Sequence, residues 1–187
     1  YFAAERIEAL ADRCGAVVDW RPFHMRQVNA EELGVTAPLF QQPIKGPYFA
    51  QDVPRMARWF GLPFAPPPIA EVSSVAIHRA IWRLKDQGDE ASAAALSLAA
   101  FRATHAQTRN LSAPDAVCAL AEEIGMDGAA LRAALDDPAV KDRLRQETAA
   151  AVSAGVWGTP TFKVDDQLFW GSDRLDQVEA WVARGGW

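Results

Sequence analysis

The order of elements along the chain predicts an α/β fold built around a large helical insertion. Three observations carry it. Ala3, Ile7, Leu10, Ala11 and Cys14 recur at helical spacing and Gly15 stops them. From Ser74 to Thr148 the chain offers no strand candidate. Near the end, TFKV (161–164) and QLFW (167–170) flank a two-residue Asp165-Asp166 turn, the signature of a hairpin.

After the first helix, AVVDWRPF (16–23) reads as one short strand, from its Val, Trp and Phe content and the break at Pro22. Residues 24–44 carry scattered polar residues and two prolines and read mostly as loop. Residues 45–61 are helical. Pro47 suits a first turn, but Pro54 removes a backbone donor further in, so a kink or two consecutive helices is expected there. LPFAPPP (62–68) reads as a rigid crossing segment. Helices follow at about 74–87, 89–108, 113–124, 128–135 and 138–154. Their starts are marked by Asp89, by Ser112 with Pro114, by Asp127, and by Asp137 with Pro138. Ser73-Ser74 is expected to cap the first of them. Gly171-Ser172 ends the hairpin, and 173–184 forms a last helix.

Composition narrows the class of partner. The 187 residues are 50% apolar, which excludes disorder, and the net charge of −5 comes without any basic run. Nucleic acid and anionic membrane are therefore excluded as partners. The longest apolar stretch without a charge, 91–101, is too short to span a bilayer. Cys14 and Cys118 form neither a CxxC nor a metal spacing, and His24, His78 and His105 do not cluster in sequence, so no metal site is expected. The chain opens at Tyr1 without methionine and already in helical pattern, from which a preceding natural segment is expected.

Three local patterns carry chemistry. In GVWGTPTF (155–162) a proline enters a strand, where it has no N–H to donate. A cis Thr159-Pro160 bond would turn the Thr159 backbone outward to pair with an extended ligand; a trans bond would make an ordinary turn. In FWGSDRL (169–175) Ser-Asp opens a helix after a glycine. Free N–H groups there suit a carboxylate and Asp173 suits an ammonium, the two charges of an α-amino acid end. The competing reading makes Ser172 or Asp173 a plain helix cap. In residues 45–64, Lys45 could meet a carboxylate, while Asp52 and Arg55 at i,i+3 could form a local ion pair. Trp157 and Trp170 flank the supposed cleft.

A βαβ half and a ββα half separated by helices is the thioredoxin plan, with its first strand ahead of Tyr1. On that plan residues 1–24 and 155–187 form a thioredoxin-like part and residues 40–150 a helical insertion. The chain resembles the 2-hydroxychromene-2-carboxylate isomerase family, a bacterial branch of the kappa-class glutathione transferases within the DsbA-like thioredoxin superfamily. The residues carrying the resemblance are the first 23, the Lys45-x-x-Tyr48-x-x-x-Asp52-x-x-Arg55 pattern ending in GLPF, AFRATHAQTRNLSAPD, the run from LDDPAVKDRL to GVWGTPTF, and FWGSDRL. The family often has Asn where Ser73 stands and an aromatic residue near Thr104-His105.

The resemblance implies glutathione as cofactor, held by Thr159, Pro160, Trp170, Gly171, Ser172 and Asp173. Lys45 and Ser73 would lie toward a small aromatic substrate. The family's catalytic serine lies in a segment ahead of Tyr1, so no catalytic residue is assigned within these residues. A cytoplasmic homodimer is also implied. The alternatives are a DsbA-like thiol–disulfide oxidoreductase, a kappa-type glutathione transferase, and a member without activity that serves as a binding module.

Overall fold

Helical spacing becomes helix wherever an apolar stripe finds a facing stripe. The computed structural model describes residues 1–66 and 72–187. Along these run α1 (Ala4–Cys14), α2 (Met25–Glu31), α3 (Lys45–Phe60), α4 (Val75–Asp86), α5 (Glu90–His105), α6 (Pro114–Glu123), α7 (Gly128–Leu135) and α8 (Pro138–Ser153). They continue with β1 (Thr161–Val164), β2 (Gln167–Trp170) and α9 (Leu175–Arg184). Short 3₁₀ turns occupy Leu39–Gln41 and Ser172–Arg174.

Two apolar clusters organise these elements. The larger lies among α4, α5, α6 and α7. Ala93, Leu96, Ala100 and Ala103 form the buried stripe of α5, and Ala76, Ile77, Ala80 and Ile81 that of α4. The alanines let the two helices approach closely, and Leu96 and Val117 are fully enclosed. The smaller cluster joins Ala3 and Leu10 at α1 to Leu175 and Val178 of α9, with Phe162, Val164 and Phe169 of the hairpin against them. β1 and β2 pair antiparallel with Thr161 opposite Trp170 and Val164 opposite Gln167. The Asp165-Asp166 turn closes this ladder, with Asp165 in the left-handed region at φ 51°.

The helix starts follow the sequence signals in most cases. The carboxylates of Asp89, Asp127 and Asp137 accept N–H bonds from Ser92, Ala130 and Ala139. Two expected caps are corrected. Ala113 stands at the start of α6 and Pro114 is its first residue, while the Ser112 hydroxyl accepts the Ser73 N–H at 2.8 Å. Ser74 precedes α4 without a side-chain bond, and the Ser73 hydroxyl takes the Val75 N–H only at 3.4 Å.

Other corrections concern the first 65 residues. The stretch 16–23 is not a strand. The sheet among the described residues contains only β1 and β2, so this stretch has no ladder partner, and Val17 is 95% exposed. Within the expected loop 24–44, MRQVNAE forms α2; its single buried residue, Val28, leaves no periodicity to read. Of the two alternatives at Pro54, two consecutive helices are not formed: α3 runs as one helix across it. The Ala50 carbonyl that loses its partner there belongs to an exposed residue, so water can serve it. Residues 62–66 of the crossing segment are irregular, and its last two prolines lie outside the described residues. No helix among the described residues is long and apolar enough to cross a membrane.

Instead of a ladder, side chains of α4 and α8 hold residues 19–24. The Trp82 indole N–H donates to the Pro22 carbonyl at 2.7 Å, and the Thr148 hydroxyl accepts the His24 N–H at 3.1 Å. Arg21 pairs with Glu147 at 2.6 Å and Lys85 with Asp19 at 2.6 Å. Arg143 lies over the Trp82 ring, 4.3 Å from its centroid, and bonds Asp86 and Glu147. Near this seam, burial and the neighbouring His24 lower the His78 pKa from 6.5 to about 4. Among the described residues the His78 Nδ1 atom has no hydrogen-bond partner.

Two outcomes follow. Trp82→Ala should cost about 3–5 kcal/mol in denaturant unfolding, and Trp82→Phe about 1–2 kcal/mol, because it leaves the Pro22 carbonyl unpaired. The unfolded chain protonates His78 near pH 6.5 and the folded one only near 4. Stability is therefore full above pH 6.5 and falls as pH drops through that window, by on the order of 2–3 kcal/mol. Unfolding midpoints measured from pH 7.5 to 4 should show this loss, and His78→Gln should shrink it.

Candidate functional site: the hairpin end and the adjoining cleft

The hairpin register brings the two sequence signals together. Thr161 pairs with Trp170, and one step further the Gly171 N–H donates to the Pro160 carbonyl at 2.9 Å. Thr159-Pro160 therefore lies beside Gly171-Ser172-Asp173, although eleven residues separate Thr159 from Gly171 in sequence. The Thr159-Pro160 bond is cis. Thr159 is exposed, and its backbone N–H and C=O have no partner among the described residues.

Two glycines are fixed by geometry at this end. A Cβ on Gly158 would lie 2.3 Å from the Trp170 indole nitrogen, so only glycine lets the chain pass under that ring. Trp170 in turn packs on Trp157, with centroids 4.2 Å apart, and both rings remain half exposed. Gly171 has φ 113°, a conformation side chains disfavour, and Asp173 Oδ1 occupies the place a Cβ would take.

The plain-cap reading of Ser172 and Asp173 does not hold. Neither side chain caps the 3₁₀ turn or α9. Asp173 meets Arg174 at 3.2 Å and otherwise faces an open cleft of about 440 Å³. Met56, Trp59 and Phe60 of α3 give the cleft an apolar wall, and Ser172, Asp173 and Asp176 a polar one. Arg6 and Arg55 add positive charge. Arg6 donates to the Ser172 carbonyl at 3.4 Å, lies 3.7 Å from Asp176 and sits over the Phe60 ring at 4.3 Å. Arg55 bonds Asp52 on its own helix, which holds its pKa above the usual arginine value. An opposed pair of charges beside an apolar wall suits a zwitterionic end on a partly apolar ligand.

The remaining sequence candidates stand apart. Lys45 is exposed in the first turn of α3, ten residues or about 15 Å along the axis from Arg55. Ser73 is exposed at the approach to α4. Sequence reasoning missed Arg6, Asp176 and the cleft-facing role of Trp59. Trp59 is 80% exposed at the cleft wall. Arg6 sits on the polar face of α1 like any solvated cation, and only the packing of α9 on α1 shows where it points. His105 stacks between Tyr1 and Phe101, with centroids 5.7 and 6.2 Å away, and burial lowers its pKa to about 4.

Comparison with known proteins agrees with this architecture. A 2-hydroxychromene-2-carboxylate isomerase of Pseudomonas putida is 26% identical over 184 residues, covering 98% of this chain and 88% of the relative. One of Sphingobium xenophagum is 28% identical over 183 residues, covering 97% and 91%. The solved structure of a 2-hydroxychromene-2-carboxylate isomerase superposes with a TM-score of 0.86 at 26% identity, over 98% of this chain and 88% of the other. A probable DsbA oxidoreductase from Streptomyces coelicolor shares the fold, with a TM-score of 0.71 at 21% identity over 97% and 83%. The DSBA-like thioredoxin domain matches residues 1–183, and with a hairpin, cis-proline and helical insertion arranged as that fold requires, the chain belongs to the DsbA-like thioredoxin family.

Proposed function

We propose that the protein is a glutathione-dependent isomerase acting on an aromatic-degradation intermediate of the 2-hydroxychromene-2-carboxylate type. The observation that carries this reading is the Gly171–Pro160 bond, which sets an unpaired Thr159 backbone beside the Ser172-Asp173 turn. The relatives that align over nearly the whole chain bear the corresponding name.

The residues present fit glutathione at both ends of this arrangement. Thr159 offers one N–H and one C=O to the cysteinyl backbone. The Ser172 and Asp173 N–H groups, unpaired among the described residues, suit the α-carboxylate of the γ-glutamyl end, and the Asp173 carboxylate suits its ammonium. When bound, glutathione supplies a thiolate that adds reversibly to a conjugated carbon and so permits rotation about a former double bond. Thr159 fixes where the sulfur-bearing residue lies, and Asp173 fixes the register along the cleft. Met56, Trp59 and Phe60 make one wall apolar. The serine that the family resemblance places ahead of Tyr1 would hold the sulfur in its charged form.

The oxidoreductase reading draws no support from the two cysteines of this chain. Cys14 closes α1 with its thiol 3.9 Å from the Glu179 carbonyl, and Cys118 is buried in the helical cluster, where burial raises its pKa. Neither lines the cleft.

Calorimetry should show glutathione binding, and Asp173→Asn should weaken it by about 1–3 kcal/mol through loss of a charge-assisted bond. Unchanged affinity in that variant would remove the Asp173 assignment. Following 2-hydroxychromene-2-carboxylate by absorbance with and without glutathione tests the activity itself, and equal rates in the two arms would sink the cofactor.

A further inference from the structure

We propose that Arg55 takes the α-carboxylate of the ligand's amino-acid end, with Asp52 as the partner it exchanges for that carboxylate; this rests on the glutathione reading above. Two guanidinium groups line the cleft, and their engagements differ. Arg6 is committed to the cleft wall itself, through the Ser172 carbonyl, Asp176 and the Phe60 ring. It builds the turn that carries Ser172 and Asp173.

Arg55 makes no such bond to the opposite wall. Its ion pair is with Asp52, one turn back on α3, and its side chain stays 56% exposed while lining the cleft. The pair is local, with Arg55 exposed and Asp52 at 23%, so a ligand carboxylate exchanges with the Asp52 carboxylate as one acceptor for another. The guanidinium fork also matches a carboxylate better than an ammonium group would, because two parallel N–H donors meet two oxygens.

Charge accounting gives the same answer. With Arg6 and Asp176 set against each other, Arg55 and Asp173 are the other cation and anion lining the cleft, each paired with a neighbour on its own element, Asp52 and Arg174. They come from different elements, α3 and the turn after β2. One α-carbon carrying a carboxylate and an ammonium satisfies both, and the unpaired N–H groups of Ser172 and Asp173 share the carboxylate.

The test is calorimetric binding of three probes to the protein and its variants: glutathione, 4-aminobutyryl-cysteinylglycine, which lacks the α-carboxylate, and glutaryl-cysteinylglycine, which lacks the ammonium. The unmodified protein should bind the decarboxylated probe roughly ten-fold more weakly than glutathione. Arg55→Gln should lose most of that preference, keeping only the part that the Ser172 and Asp173 N–H groups supply, while still discriminating against the glutaryl probe through Asp173. Asp52→Asn should bind glutathione more tightly than the unmodified protein. Arg55→Gln that keeps the full preference for glutathione over the decarboxylated probe overturns the assignment of Arg55, as does weaker binding by a folded Asp52→Asn. Absence of glutathione binding by the unmodified protein overturns the cofactor reading and this inference with it.

Discussion

The register of one short hairpin decides where everything chemical in this molecule can lie. Four residue pairs, from Thr161–Trp170 to Val164–Gln167, set which side chains face α1 and α9. A slip of one residue would turn Phe162 and Val164 away from Leu10, Leu175 and Val178. It would also part Pro160 from Gly171 and leave Thr159 and Asp173 without a common surface. The same apolar burial that holds the small cluster together therefore fixes the spacing of the two polar features.

A different kind of restraint joins the helices to this part. Residues 19–24 have no strand beside them among the described residues, yet they are held at four points by α4 and α8. The Trp82 indole sits at the centre, enclosed to 2% exposure and covered by Arg143. The ionic contacts around it each join an exposed side chain to an enclosed one, Lys85 at 7% and Glu147 at 9% exposure. The indole adds a large buried area and one directed N–H bond to them.

Local chemistry made much of this legible in the sequence. Asp89, Asp127 and Asp137 announce helix starts because a carboxylate there serves free N–H groups, and they do so in the structure. The hairpin and the strand-entry proline were legible because a two-residue turn and a missing donor are local constraints. What escaped depends on distant partners. Residues 16–23 have strand composition, but composition cannot supply a neighbour. α2 buries only Val28, too little to leave a stripe. Pro54 breaks a helix only where the freed carbonyl has no other partner. At the site, Ser172 and Asp173 were found from their place after a strand. Arg6 and Asp176 were not, since their relation exists only once α1 and α9 are packed.

Adjacent residues on α1 reach in different directions. Glu5 takes a two-pronged bond from Arg102 of α5, at 2.8 and 2.7 Å, while Arg6 grips the Ser172 carbonyl and Asp176. α1 thus works as a strut, fastened to the helical layer at one residue and to the cleft at the next. A ligand that draws Arg6 toward the cleft therefore pulls on the same turn of α1 that Arg102 holds to the helical layer.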